Sequence, residues 1–187
     1  GMAESFELIA AHNEELARDI VERASFRGVT VSTAESLTAG MIASTIADIP
    51  GVSAVLRGGA VTYCDEIKHR VLGVEQETLD RYTAVSYQTA REMATGSLEL
   101  YQSDIAVSAT GYAGPGGGTE DDPAGTFILA GRIARPMGEY RSWTPFVVTM
   151  RAIVRVFVPM RSRRRWVALS VCSILWNRRV LRGLRAP

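Results

Sequence analysis

The 187-residue chain has almost no lysine: twenty of its twenty-one basic side chains are arginine, and Lys68 is the exception. It has only two cysteines, Cys64 and Cys172. They are too few and too far apart for a disulfide framework or a metal clip, and a reduced, cytoplasmic setting is the expectation. The first residues carry acids throughout and lack the apolar run of a signal peptide, and Gly1 ahead of Met2 reads as a residue left by tag removal. The longest late apolar run, "WVALSVCSILW" at 166–176, is too short to cross a bilayer. Acids are missing after Glu139: residues 140–187 hold eleven arginines and no Asp or Glu, whereas the residues before them hold ten basic and twenty acidic side chains.

Two of these absences carry weight. Arginine, with a pKa above about 12, cannot give up its proton near neutral pH, and lysine can when its surroundings favour it. Lys68 is therefore a candidate base, with a solvated helix residue as the plain alternative. The acid-free end reads as a basic arm for nucleic acid or anionic lipid, as a solvated appendage, or as a stretch translated out of frame. It mixes Arg with Val, Trp, Phe and Pro at no period of 2 or 3.6. That favours the out-of-frame reading and divides the chain into a domain over 1–140 and an atypical Arg-rich tail over 141–187.

What remains is ordinary for a soluble domain, with 47% hydrophobic and 22% charged residues. Phe6, Ile9, Leu16 and Ile20, widened by Ala10 and Val21, predict an amphipathic helix over 3–27. "GVTVSTAES" at 28–36 predicts a strand, and "LTAGMIASTIADIPG" at 37–51 a helix that ends near Pro50-Gly51. Further strands are expected at 55–63, 103–111 and from Thr126 to Ala134. Further helices are expected at 65–73, where Ile67, Val71 and Leu72 share a face, and at 86–102 behind Ser86 as N-cap. The alternation argues for a layered α/β/α single domain with a central mixed sheet.

Three segments could carry chemistry. In "TAESLTAG", Ser36 stands where a strand turns into a helix, whose free N–H groups and dipole would favour a developing oxyanion; Ser is equally a preferred N-cap. In "VTYCDEIKHRVLGV", Tyr63 and Lys68 suggest the couple of short-chain dehydrogenases. The spacing is wrong for Tyr-x-x-x-Lys, and no Gly-rich cofactor turn leads into a helix. In "SATGYAGPGGGTEDDPAG", Gly111, Gly114, Gly116, Gly117 and Gly118 would let backbone N–H groups approach a phosphate or carbonyl oxygen. No Gly-Lys-Ser/Thr follows, so it is not a P-loop, and a strand rather than a helix comes next, so it is not a dinucleotide fingerprint. A hairpin loop is the alternative.

Taken together these segments resemble the CinA C-terminal family, the nicotinamide-mononucleotide amidohydrolases. The family shows Thr-Ala-Glu-Ser-x-Thr-Gly-Gly, Val-Thr-Tyr-x-x-Glu-x-Lys before Leu-Gly-Val, an Ala-Val-Ser helix start and Thr-Gly-x-Ala-Gly-Pro-x-Gly-Gly. This chain has "TAESLTAG", "VTYCDEIKHRVLGV", "AVSYQTAREMA" and "TGYAGPGGGTEDDPAG" in that order. Ala39 stands where the family has Gly. The resemblance implies a Ser/Lys hydrolase: Ser36 attacks the carboxamide of nicotinamide mononucleotide, Lys68 takes the hydroxyl proton, and Tyr63 orients or relays between them. It implies substrate contacts from Thr38, Thr110, Gly111, Gly114, Gly116 and Gly117, no metal and no cofactor. The implied partners are a small nucleotide and further copies of the chain, with no membrane and no nucleic acid. A pocket that binds the nucleotide without turnover is the alternative function. The resemblance covers about residues 5–135 and stops near Tyr140; the family's Phe-x-Gly-Asp-Arg segment has no counterpart in the tail.

Overall fold

A computed structural model describes residues 2–113, 118–120, 122, 126–133 and 148–153. Five strands form one sheet in the order β2-β1-β3-β4-β5. They are β1 Val31–Glu35, β2 Leu56–Val61, β3 Ile105–Gly111, β4 Thr126–Ile133 and β5 Val148–Ile153. The first three are mutually parallel, and β4 and β5 each run antiparallel to their neighbour. The mixed sheet expected from the alternation is present, and helices cover both faces. The helices are α1 Met2–Arg27, α2 Met41–Ala47, α3 Asp65–Leu72, α4 Gln76–Tyr82 and α5 Tyr87–Tyr101.

Strand alternation sorts the core into two layers. Val31, Ile105, Val107, Ala109, Phe127 and Leu129 face α1 and α2, where they meet Ala17, Ile20, Val21, Ala24, Ile42 and Ile46. The opposite residues, Ala34, Ala60, Ile128 and Ala130, face Leu72, Leu79, Met93, Ala90 and Ala94 of α3, α4 and α5. All five residues of the interior strand β1 are buried, so its polar side chains need internal partners. Ser32 Oγ lies 2.9 Å from Ser97 Oγ and 2.7 Å from Ser103 Oγ. At the amino ends of β1 and β3, the backbone N–H and hydroxyl of Thr30 both donate to Asp104, at 2.7 and 2.8 Å.

The structure departs from the sequence reading in four places. The helix expected over 37–51 runs only from Met41 to Ala47. The inward face of α3 is Lys68 and Leu72, four residues apart, while Val71 points out; the lysine takes a core position that hydrophobicity alone assigns to its neighbours. Helix α4 lies in a stretch given no element. Strand β5 lies within the tail read as aperiodic, paired with β4 from Thr126↔Ile153 to Gly131↔Val148. Ser86 does cap α5, accepting from the Thr89 N–H at 3.1 Å. Among the described residues no helix is long and apolar enough to cross a membrane.

Helices α3 and α5 cross at Gly96, where a Cβ would lie 2.6 Å from the carbonyl carbon of Leu72 and overlap its oxygen. Alanine is the better helix former by about 1 kcal/mol. The obstruction is backbone and cannot rotate away, and overpacking of this kind costs about 1–3 kcal/mol. Gly96→Ala should therefore lower stability, read as a reduced urea midpoint with an unchanged slope. A raised midpoint would mean that propensity, not the helix crossing, governs this position.

Candidate active site at the carboxyl ends of three parallel strands

The site begins where β1 ends. The Ser36 N–H donates to the Ala109 carbonyl at 2.9 Å, which carries the β1–β3 ladder one residue beyond the strand. The chain then makes two tight turns, with the Ala39 N–H on Ser36 O at 3.1 Å and the Met41 N–H on Thr38 O at 3.0 Å. Ala39 has φ 50° and Gly40 φ 90°. Left-handed backbone is costly for alanine and free for glycine, so the departure from the family pattern at Ala39 falls on a position that favours glycine.

Helix α2 starts behind these turns with Gly40, which has no side chain to cap it. The cap is Glu35. Its Oε2 accepts from the Ile42 N–H at 3.0 Å, and its Oε1 from the Ala43 N–H at 2.9 Å and the Thr33 hydroxyl at 3.0 Å. This corrects the expectation that Ser36 opens the helix beside free N–H groups. The helix starts five residues later, and two of its first N–H groups belong to a carboxylate that is 1% exposed. Sequence reasoning passed over Glu35; the available signal was an acid closing a strand just ahead of a helix that begins with glycine.

The second half of the site comes from β2 and α3. The Thr62 N–H donates to the Glu35 carbonyl at 2.8 Å, which seats the end of β2 beside Ser36. Helix α3 follows, and Lys68 in its second turn is 1% exposed. Its Nζ donates to the Tyr63 carbonyl at 3.3 Å and to Asp65 Oδ1 at 3.4 Å. The solvated-helix reading of Lys68 is thereby set aside. Tyr63 reaches the lysine through its backbone: its side chain is 69% exposed and its phenol has no hydrogen bond among the described residues. Ser36 is 7% exposed, and its hydroxyl likewise has no hydrogen bond among the described residues.

The third side is β3. Thr110 is buried and its hydroxyl donates to the Ala84 carbonyl at 2.6 Å, which fixes the loop between α4 and α5 against the strand end. That loop is strained: Thr83, a β-branched residue, has φ 67°, and its carbonyl receives the hydroxyls of Thr89 at 2.7 Å and Ser86 at 3.1 Å. Gly111 serves the sheet, since a Cβ there would lie 2.6 Å from Phe127 Cα and from the Thr126 carbonyl oxygen. Thr38 is buried with its hydroxyl unpartnered among the described residues, and so are Thr62 and Thr126. Gly114, Gly116 and Gly117 lie outside the described residues. Among the described residues, no three His, Cys, Asp or Glu side chains come together as metal ligands would.

The strand ends thus bring Ser36, Thr62 and Thr110 to one mouth of the sheet, where open α/β sheets take their ligands, and α3, which carries Lys68, follows the β2 end. The class so defined is a three-layer α/β protein with a serine at the end of one parallel strand and a buried lysine in the helix that follows its neighbour. The chain belongs to the CinA C-terminal domain family, whose sequence model matches residues 13–144. It is 44% identical over 148 residues to the nicotinamide-nucleotide amidohydrolase PncC of Shewanella oneidensis, covering 79% of this chain and 34% of that protein. To a CinA-like protein of Chloroherpeton thalassium it is 47% identical over 131 residues, covering 70% and 31%. The chain spans about a third of the length of the curated relatives it matches. The crystal structure of a competence/damage-inducible protein from Agrobacterium tumefaciens superposes with a TM-score of 0.77 at 37% identity, covering 88% of this chain and 94% of that one.

Glu35 makes the geometry testable. Glu35→Gln keeps the shape but replaces one acceptor oxygen with an NH₂ turned toward an N–H donor. Loss of a buried, charge-assisted hydrogen bond costs about 1.5–3 kcal/mol. We expect a destabilisation of that size in urea and faster hydrogen exchange at the Ile42 and Ala43 amides. Unchanged exchange at those two amides would mean that packing of Ile42 and Ile46 alone holds α2.

Proposed function

We propose that this chain hydrolyses the carboxamide of nicotinamide mononucleotide to nicotinic acid mononucleotide and ammonia, in cytoplasmic nucleotide salvage. The observation that carries the reading is the burial of the only lysine of the chain in the helix that follows β2, whose end is hydrogen-bonded next to Ser36. The family and the activity for which the Shewanella oneidensis relative is named support the substrate.

In this mechanism Ser36 Oγ attacks the carboxamide carbon, and its proton passes to the Lys68 amine. The carbonyl π electrons move onto oxygen and return as the C–N bond breaks. The departing nitrogen takes the proton back from Lys68 and leaves as ammonia. Water then attacks the resulting ester and loses a proton to Lys68, which returns it to Ser36 Oγ as the acid departs. The Tyr63 carbonyl and Asp65 hold the lysine in place, the free hydroxyl of Thr38 is offered to the nucleotide, and Thr110 and Gly111 shape the wall. No step calls for a metal or a cofactor.

Incubation with nicotinamide mononucleotide should release ammonia and nicotinic acid mononucleotide in equal amounts. Ser36→Ala should abolish this with the circular dichroism spectrum unchanged. Lys68→Arg keeps most of the stem packing but cannot serve as a base. Its turnover should fall by at least about 10²-fold. A well-folded Lys68→Arg variant with near-normal turnover would remove lysine from the mechanism. Binding of the nucleotide by the unaltered chain without release of ammonia would leave only the pocket.

A further inference from the structure

One buried hydroxyl beside Ser36 is unused by the scheme above. Glu35 pairs with Val61 on one side and with Ala109 on the other. The hydrogen bonds Thr62 N–H to Glu35 O and Ser36 N–H to Ala109 O carry both registers one residue further. Ser36 therefore stands between Thr62 and Thr110 in a row across three adjacent strands, on the face that Ala34 and Ala60 turn toward α3 and α5. Neighbouring strands lie about 4.8 Å apart and set the Cβ atoms of such a row about 5 Å from one another, so a turn about χ1 would join the Ser36 and Thr62 hydroxyls, which share no hydrogen bond in this structure.

The two flanking threonines differ in one respect. The Thr110 hydroxyl is bound to Ala84 O. The Thr62 hydroxyl is fully buried and has no partner among the described residues. A buried hydroxyl left unpaired weakens a fold, and its persistence calls for a use. Lys68 Nζ donates to the carbonyl of Tyr63, the residue that follows Thr62. Ser36 and Lys68 share no direct hydrogen bond, and the Tyr63 ring that the sequence reading placed between them is largely in solvent.

The geometry points to Thr62 as the proton relay between Ser36 and Lys68. As Ser36 Oγ bonds to the carbonyl carbon, its proton moves to Thr62 Oγ1 and the proton of Thr62 moves to the Lys68 lone pair. Thr62 gains the serine's proton and gives up its own, so the lysine ends as an ammonium, balanced by the negative charge on the former carbonyl oxygen. This assignment rests on the hydrolase reading above and adds a third participant to it.

The test uses the isosteric Thr62→Val and the hydroxyl-retaining Thr62→Ser in the full chain, with three readouts. These are the steady-state kinetics of nicotinamide mononucleotide hydrolysis, the rate of Ser36 labelling by a fluorophosphonate followed by mass spectrometry, and the melting temperature. Thr62→Val should lower kcat and the labelling rate about 10²-fold, leave KM unchanged, and leave the melting temperature equal or higher. Thr62→Ser should restore most of both rates. Wild-type kcat in a folded Thr62→Val, or an equal loss in both variants, overturns the relay and leaves the Ser36–Lys68 scheme standing. If the unaltered chain labels at Ser36 but releases no ammonia, the substrate reading falls and the labelling rates alone decide on Thr62. If it neither labels nor hydrolyses, both fall.

Discussion

The contact on which the site depends is between the Glu35 carboxylate and the first N–H groups of α2. A short helix of seven residues has little cooperative stability of its own. This one begins with a glycine, and its end is finished by an acid reached back from the preceding strand. The carboxylate is satisfied by three donors, which is what permits it to lie buried. Because Glu35 and Ser36 are consecutive, whatever holds the carboxylate on the helix also fixes the serine at the end of β1. The tight turn at 37–40 follows from the same constraint, since four residues must join two points that the cap holds near each other. The left-handed conformation of Ala39 is part of what that short path costs.

The other half of the site obeys a different rule. Lys68 lies where an amphipathic helix would put an apolar side chain, and α3 accepts this because Leu72 and the flanking α5 still close the layer beneath it. Its two hydrogen bonds are long, 3.3 and 3.4 Å, and one goes to a half-exposed aspartate. A purely structural buried lysine is expected to have a short, dry partner. A lightly held amine suits the role of proton acceptor proposed for Lys68.

Much of this was legible from the residues, and the gaps have physical causes. The strands near 31, 105 and 126 followed from β-branched and apolar runs, and the α5 cap from Ser86. The start of α2 was misplaced because local pattern offered Ser36 as the cap, and the true cap comes from the strand. The face of α3 was misassigned because hydrophobicity favoured Val71 over Lys68. Strand β5 escaped because a stretch rich in arginine without a clean period carries no two-residue signal, although a neighbouring strand can still pair with it. Ser36 and Lys68 were singled out by motif and by the scarcity of lysine. Thr62 could not be, because an unpartnered hydroxyl is a property of its surroundings and leaves no mark in the sequence.

Parallel pairing of β1 with both β2 and β3 also bears on how the protein comes into being. The strand that supplies the serine must find one neighbour some 25 residues on and another about three times as far away. Closing such long loops is slow and forms late in folding. A chain emerging as far as α3 already contains the hydroxyl and the amine, yet it lacks the β3 carbonyl that holds Ser36 and the α5 face that buries Lys68. The arrangement of Ser36 and Lys68 is thereby withheld from nascent and partly unfolded molecules, and is complete only when the whole sheet has assembled.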